Sequence, residues 1–333
     1  MSITVLLFII IVTLRYVEYI SSKTSEENTN LSTHKKALKL YNKKGYQKSV
    51  AYLKKKLKGN PDDFFINNEI GYIYNIANMP KEAIEFLEKA ARLYPNEDAP
   101  LNNLSWAYYL IGDNEKALSY AKRSISINSR DPYHWTNKGN ALFGLKKYDE
   151  ALDCFSMAVS LNSNFKSGHY GKGLSLFTLE RYEESMESFK KYVELDASDI
   201  GAYIYLEACY GHLGNHSERV KICDKILSLN NSIPWVYCSK GYALCYLGEF
   251  NQAMDLFDKA ISLDSNYADA YYQKARVLAF FRHKDASLEN LKKAVDLDES
   301  YRQYLWDDWA LDNIKIFSDF KDIVQSDKNP PQP

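Results

Sequence analysis

The sequence predicts an all-α protein built from repeated helical hairpins. Its strongest support is an internal period of 34 residues, which runs without insertion or deletion from Asn30 to Tyr301. Within each period, apolar side chains recur at helical spacing in two stretches that a short break separates. The composition agrees, because 27 tyrosines stand beside only 14 glycines and 9 prolines, fewer turn residues than a β-rich chain normally has.

The period divides the chain into eight repeats, preceded by an N-terminal hydrophobic segment and linker of residues 1–29. The repeats cover residues 30–63, 64–97, 98–131, 132–165, 166–199, 200–233, 234–267 and 268–301. Residues 302–325 are predicted to form a capping helix, because the last repeat of such an array needs a cover for its outer face. The polar, proline-rich residues 326–333 predict a disordered tail.

Two columns of small residues indicate how each hairpin closes. Position 8 of the repeat is small in seven of the eight repeats, and position 20 is small in the same number. Small side chains at both positions let two helix backbones approach closely. Gly139 and Ala151 form such a pair, as do Gly241 and Ala253, and Gly173 occupies position 8 of the fifth repeat.

This pattern resembles the tetratricopeptide repeat, and the resemblance covers residues 30–301. The fourth repeat carries it best, with Trp135, Gly139, Leu142, Tyr148, Ala151, Phe155 and Ala158 at the family's signature positions. The resemblance implies a right-handed superhelical solenoid of eight helix-turn-helix repeats with a C-terminal capping helix. It also implies a scaffold that holds another protein or a peptide.

The sixth repeat departs most from the pattern. Glu207 stands at position 8 and Arg219 at position 20, so two small positions became large together and with opposite charges. We predict that the two side chains form an ion pair within 4 Å and wedge the helices slightly apart. The alternative is two exposed side chains in a degenerate repeat.

Family members place positions 2, 5, 9, 12 and 13 of the first helix on the concave surface. In this sequence those positions are rich in aromatics, which together with arginine are the usual anchors of protein recognition. The predicted groove residues are Phe65, Asn68, Tyr72, Asn75, Asn102, Trp106, Tyr109, Tyr133, Asn140, Phe143, Tyr170, Phe177, Trp235, Tyr242, Tyr246, Tyr272 and Arg276. The alternative is that the aromatics only pack between neighbouring first helices.

Two features narrow the expected partner. No lysine stands at position 5, so the clamp with which chaperone-binding relatives hold a C-terminal carboxylate is missing. Asn103 and Asn137, at position 6 of consecutive repeats, are similar to the asparagine ladder that some long arrays use against a peptide backbone. We therefore expect a scaffold for an extended or helical peptide. The alternative is a substrate-recruiting or assembly subunit of a membrane-associated enzyme complex, such as a glycosyltransferase.

No catalytic motif is recognisable, since the sequence contains no HExxH, GxxxxGK[ST] or GxSxG. We therefore predict no enzyme activity and no cofactor. The nearest candidate for a metal site is Cys209, His212 and His216, but Cys209 belongs to a column of mostly small or apolar residues, so no metal site is predicted. A formal net charge of −1 gives no reason to expect a nucleic acid partner.

The N-terminus begins with an apolar run, Ile3–Leu14, which alone is too short to cross a membrane. Extended over residues 3–20 it includes Arg15 and Glu18, and we predict an uncleaved membrane anchor. Positive charge follows the run, including ten lysines and no acid in residues 31–60, so the repeats are predicted to be cytoplasmic. The alternatives are a cleaved signal peptide with export, or a soluble cytoplasmic segment.

Overall fold

The computed structural model of the chain describes residues 3–325, with side chains from Thr24 onward. Within residues 3–325 it contains 17 α-helices and two 3₁₀ helices, and no strand. The predicted all-α fold class is therefore confirmed over the described residues. The predicted disordered tail, residues 326–333, lies outside them.

The helices form consecutive antiparallel pairs, and the first helix of the first pair is longer than the others. That helix, α1, spans Ile3–Lys44, and α2 spans Tyr46–Leu57. The first helices of the later pairs are α3 (Phe64–Ile76), α5 (Asp98–Leu110), α7 (Pro132–Gly144), α9 (Lys166–Thr178), α11 (Ile200–His212), α13 (Pro234–Tyr246) and α15 (Ala268–Phe280). Their second helices are α4 (Pro80–Leu93), α6 (Asn114–Ile127), α8 (Tyr148–Leu161), α10 (Tyr182–Leu195), α12 (His216–Leu229), α14 (Phe250–Leu263) and α16 (Lys284–Leu297).

The first helices from α3 to α15 start 34 residues apart, at the positions where the sequence analysis begins its repeats. The first repeat differs, because Asn30 lies inside α1. Residues 21–44 contain neither glycine nor proline, so nothing in that stretch ends the helix. Gly45, with φ of 80°, separates α1 from α2.

Aspartates fix the start of several first helices. The side chain of Asp63 accepts a hydrogen bond from the Ile66 backbone N at 2.9 Å, and that of Asp131 accepts from Tyr133 N at 2.8 Å. Each carboxylate satisfies a backbone N–H that has no partner inside the helix and lies at the positive end of the helix dipole. Pro132 occupies the first position of α7, where a missing N–H is harmless.

From the hairpin of α3 and α4 onward, each turn contains one residue in the left-handed region, and these residues are again 34 positions apart. They are Asn78 (φ 56°), Gly112 (81°), Lys146 (61°), Glu180 (60°), Gly214 (66°), Gly248 (81°) and Arg282 (63°). Only glycine adopts this conformation without steric cost, and asparagine tolerates it better than most residues. The turn geometry is therefore kept even where the sequence supplies a lysine, a glutamate or an arginine.

We predict that Gly112→Ala destabilises the protein by about 1 kcal/mol, the cost of a Cβ in the left-handed region. No atom lies within 4 Å of the position that this Cβ would take, so the effect isolates the backbone. Urea unfolding followed by circular dichroism measures it. The control is Gly59→Ala, where φ is not positive and the nearest atom would lie at 3.6 Å. Equal unfolding midpoints for the two variants would contradict the strain argument.

Small residues close each hairpin where its two helices cross. A Cβ added to Gly139 would lie 2.8 Å from the ring of Phe155, which is itself 1% exposed. Ala151 and Ala253 are fully buried, and Gly173 is buried. Where serine occupies one of the two positions, its hydroxyl bonds to the facing backbone. Examples are the bonds from Ser49 Oγ to Ala37 O, from Ser105 Oγ to Ala117 O and from Ser287 Oγ to Ala275 O, each at 2.8 Å.

The predicted ion pair of the sixth repeat is present at the same crossing. Arg219 Nε donates to Glu207 Oε1 at 2.6 Å, and the two side chains are 18% and 7% exposed. Ser239 of α13 also donates its hydroxyl proton to Glu207 Oε1. The carboxylate therefore connects α11, α12 and α13, while the wedging of the helices stays a prediction.

Removing one partner of this pair should cost more than removing both. We expect Glu207→Ala to destabilise by about 3 kcal/mol, because it leaves a largely buried guanidinium without its counter-charge. The double variant Glu207→Gly/Arg219→Ala recreates the Gly241 and Ala253 arrangement of the next repeat and should lose less. Chemical unfolding of wild type and both variants tests this. A double variant at least as unstable as the single one would show that the pair is not what holds this crossing.

The chain divides into two compact halves, an N-terminal half through Ser175 and a C-terminal half from Leu176. In the N-terminal half, the buried core runs from Ala37 to Phe155 across consecutive hairpins. In the C-terminal half, one cluster includes Phe257, and another joins α15 and α16 to the closing segment. Consecutive hairpins thus share core, as expected where each repeat rests on its neighbours.

The closing segment contains a helix, but over a shorter range than predicted. Residues 302–325 do not form one helix: 3₁₀ helices span Glu299–Tyr304 and Trp309–Leu311, and α17 spans only Ser318–Gln325. Asp308 interrupts the segment, because its side chain accepts a hydrogen bond from Ala310 N and starts a new turn. Leu305, Leu311, Ile314 and Phe320 are buried against α15 and α16, so the segment does cover the last hairpin.

No helix within the described residues is long and apolar enough to cross a membrane. The predicted anchor, residues 3–20, belongs to α1, and its side chains are outside the described part of the chain.

Candidate binding groove

In the N-terminal half, the first helices α3, α5 and α7 line a groove with a cavity of about 590 Å³. We call it the asparagine groove. Its lining residues are His34, Tyr72, Asp98, Ala99, Asn102, Asn103, Trp106, Asp131, Tyr133, His134, Thr136, Asn137, Asn140 and Ser167. Tyr72, Asn102, Trp106, Tyr133 and Asn140 are groove residues that the sequence predicts.

One wall of the asparagine groove is a row of rings. The centroid of His34 lies 5.9 Å from that of Tyr72, which lies 6.4 Å from that of Trp106. Farther along, Tyr133 is 59% exposed and meets Phe165 edge-on at 4.7 Å. The rings therefore touch between neighbouring helices, as the alternative interpretation expects, and they also present surface to the cavity.

Asparagines tie the first helices together along the groove. Asn103 Nδ2 donates to Asn68 Oδ1 at 3.0 Å, and Asn137 Nδ2 donates to Asn102 Oδ1 at 2.8 Å. Both predicted ladder residues thus use their donor group within the protein. Asn140 differs, since its side-chain amide has no hydrogen-bond partner among the described residues.

The charged groups of the asparagine groove are acidic, apart from two histidines. Asp98 lies at the start of α5 and accepts a hydrogen bond from Asn128 Nδ2 at 2.7 Å. His134 is 2% exposed, and its Nε2 lies 3.6 Å from Asp98 Oδ2 and 3.8 Å from Asp131 Oδ2. Neither aspartate is among the groove residues that the sequence predicts, because both stand at the starts of helices, outside the family's groove positions.

A third carboxylate lies behind this wall. Glu69 is 6% exposed and sits 2.8 Å from His34 Nδ1. Burial raises the pKa of Glu69 above its usual range, and the bond to His34 opposes that rise. Burial also raises the pKa of Tyr72, with the charge of Glu69 adding to the effect.

Other predicted groove residues of this half lie elsewhere. Phe65, Tyr109 and Phe143 are partly buried against the hydrophobic core, and Phe143 meets Tyr148 of its own hairpin edge-on at 5.0 Å. Asn75 is 2% exposed and donates to Asn103 O at 2.9 Å. Asn68 is 8% exposed, and Tyr170 is half-buried on α9.

Family models match across the repeats. Models described as tetratricopeptide repeat match residues 132–165 and residues 66–97, 100–131, 167–199 and 268–301. A model described as TPR repeat matches residues 227–279. The chain belongs to the tetratricopeptide repeat family.

Solved structures show the same fold at low sequence identity. YrrB, a tetratricopeptide repeat protein with an unusual peptide-binding site, is 22% identical, with 56% of this chain and 96% of that chain covered and a TM-score of 0.51. PilF of Pseudomonas aeruginosa is 14% identical, with 65% and 99% covered and a TM-score of 0.55. No curated protein matches the chain.

In the C-terminal half of this tetratricopeptide repeat protein, the predicted groove residues divide among smaller sites. Tyr242, Tyr246 and Arg276 line a cavity of about 100 Å³ together with Phe280 and Trp309. The Tyr242 and Tyr246 hydroxyls are 3.0 Å apart. The cavity is large enough for about one side chain and offers mainly aromatic surface.

A second site of this half surrounds the ion pair. Trp235 lines a cavity of about 330 Å³ with Glu207 and Arg219. Phe177 does not line it and instead meets Tyr182 and Tyr205 edge-on, each at 5.4 Å.

The three residues that the sequence analysis considers and rejects as a metal site do not converge in the C-terminal half. Cys209 Sγ lies 3.6 Å from Ser185 Oγ, whereas His212 stacks on Tyr182 and His216 on Tyr246. Within the described residues no group of three potential metal ligands occurs.

The closing segment contacts two of the predicted groove residues. Tyr272 donates its hydroxyl proton to Asp308 Oδ2 at 2.6 Å, and Arg276 Nε lies 2.9 Å from the same oxygen. Burial raises the pKa of Tyr272 above its usual range, and the bond to Asp308 raises it further. The aspartate, 7% exposed, is thus held by two residues that the sequence assigned to ligand binding.

We expect Asp308→Asn to destabilise the protein by about 2 kcal/mol, because a buried charge-assisted contact to Arg276 is lost. The control is Asp312→Asn, since Asp312 is 66% exposed and pairs with Lys315, a contact of the kind that contributes under about 1 kcal/mol. Thermal melting of the two variants measures the difference. Similar melting temperatures would mean that Asp308 does not hold the closing segment.

Proposed function

We propose that this protein is an interaction scaffold whose asparagine groove binds a segment of a partner protein. The repeats and the all-helical fold belong to a family that acts chiefly through protein binding. The observation that supports a groove in particular is the open cavity of about 590 Å³ along α3, α5 and α7. It combines exposed aromatic surface with side-chain amides, which is the mixture that recognises peptides.

Two groups in the groove suit an extended backbone. Asn140 has an unpaired amide among the described residues, so it can donate to a peptide carbonyl and accept from a peptide N–H. Trp106 offers a large ring face that is already positioned by Tyr72, so little side-chain entropy is lost on binding. On these grounds Trp106 is the principal anchor and Asn140 the principal polar contact.

Selection of random peptides displayed on phage against the full chain tests the proposal. We expect the selected peptides to bind Trp106→Ala about 30-fold more weakly, the effect of a hot spot of about 2 kcal/mol. Asn140→Ala should weaken binding less. The control is Tyr120→Ala, because Tyr120 lies on the second helix α6 and stacks on Tyr108 outside the groove. Peptides that bind all variants equally would place recognition elsewhere on the surface.

A further inference from the structure

The asparagine groove has a one-sided charge. Asp98 and Asp131 line it, Glu69 lies behind His34, and among the described lining residues there is no lysine or arginine. The chain as a whole carries 42 basic and 43 acidic residues, so this bias is local. A groove with carboxylates at its rim favours positive charge in whatever enters it.

Asn103 and Asn137 add hydrogen-bond acceptors to the groove. The Nδ2 groups of Asn103 and Asn137 already donate to Asn68 and Asn102. Their Oδ1 atoms accept no hydrogen bond from the described residues. Neither oxygen is among the buried side-chain atoms that lack a partner, so both remain accessible to a ligand. These two oxygens therefore offer the groove acceptors, which suit N–H donors on a ligand.

Aromatic ring surface is a third feature of the groove that favours a cationic ligand. Trp106 and Tyr72 are neighbours on one wall, and Tyr133, which also lines the groove, is 59% exposed. A guanidinium or ammonium group binds the face of such rings and buries its alkyl stem against them. Aromatic faces beside carboxylates form the arrangement that holds arginine or lysine side chains.

We propose that the asparagine groove takes an extended segment of a partner protein that carries lysine or arginine, with Asp98 and Asp131 pairing its cationic side chains. This inference rests on the proposed function, since it specifies the ligand of the same groove. The main chain of the segment lies along Asn103, Asn137 and Asn140, and its basic side chains meet the rim. This polarity is opposite to that of a groove that holds a C-terminal carboxylate.

The experiment tests whether the peptides selected from the phage library depend on the acidic charges of the groove. We expect the Trp106-dependent peptides to be enriched in lysine and arginine over the unselected library. Synthetic fluorescent copies, measured by polarisation, should bind the variant Asp98→Asn/Asp131→Asn about tenfold more weakly, with a flatter dependence on salt. Asparagine keeps an oxygen with which residue 131 can cap α7 and residue 98 can accept from Asn128, so only charge is removed. Asp149→Asn, an exposed acid on α8, is the control.

The outcomes separate this inference from the proposed function. Trp106-dependent peptides without basic enrichment, or with unchanged affinity for the double variant, would overturn the inference and leave the scaffold proposal standing. A pool with no peptide that depends on Trp106 would overturn both. Because Asp131 caps α7, circular dichroism checks the fold of the double variant. The single variant Asp98→Asn leaves that cap in place and gives a second measurement of peptide affinity. Replacing the basic residues of a selected peptide by glutamine repeats the test without altering the protein.

Discussion

The close crossing of the two helices in each hairpin is the contact on which the rest of the structure depends. Its form varies, from Gly139 against Phe155 to Ser105 bonded to the backbone of Ala117, and finally to Glu207 paired with Arg219. The position on the first helix stays the same, and its partner lies sixteen residues later in the first case and twelve in the other two. A hairpin can thus replace a van der Waals contact by a hydrogen bond or a salt bridge if the two helices remain joined there.

The groove follows from that crossing together with the turn. Since each turn places one residue in the left-handed region at the same point, every hairpin ends its first helix in the same way. Within the N-terminal half, α3, α5 and α7 therefore present equivalent positions side by side, and a polar residue on one helix meets its counterpart on the next. The bonds from Asn103 to Asn68 and from Asn137 to Asn102 span 35 residues, one repeat and one further position.

The sequence predicts the helices well because the 34-residue period is a local pattern, and it predicts the Glu207 contact because two compensating changes stand out against that period. It predicts the groove less well. Phe65 and Phe143 occupy family groove positions, yet both pack on core, because a ring near a helix end reaches its own hairpin as easily as the cavity. Asp98 and Asp131 are outside the predicted groove because both stand at helix starts, and Asp131 has a role there as the cap of α7. The closing segment, which lies outside the period, depends on one aspartate that no repeat pattern marks.

The contacts of Asp308 show that equivalent positions of two repeats can differ in electrostatic character. On α15, Tyr272 and Arg276 are four residues apart and together hold a carboxylate that the chain itself supplies. The equivalent positions of α7 are Thr136 and Asn140, which carry no charge and stand beside Asp98 and Asp131. The repeat fixes where side chains converge, whereas the residues at two positions per helix decide the sign of the ligand. An acidic segment already occupies the arginine site, and a basic segment would match the aspartate site.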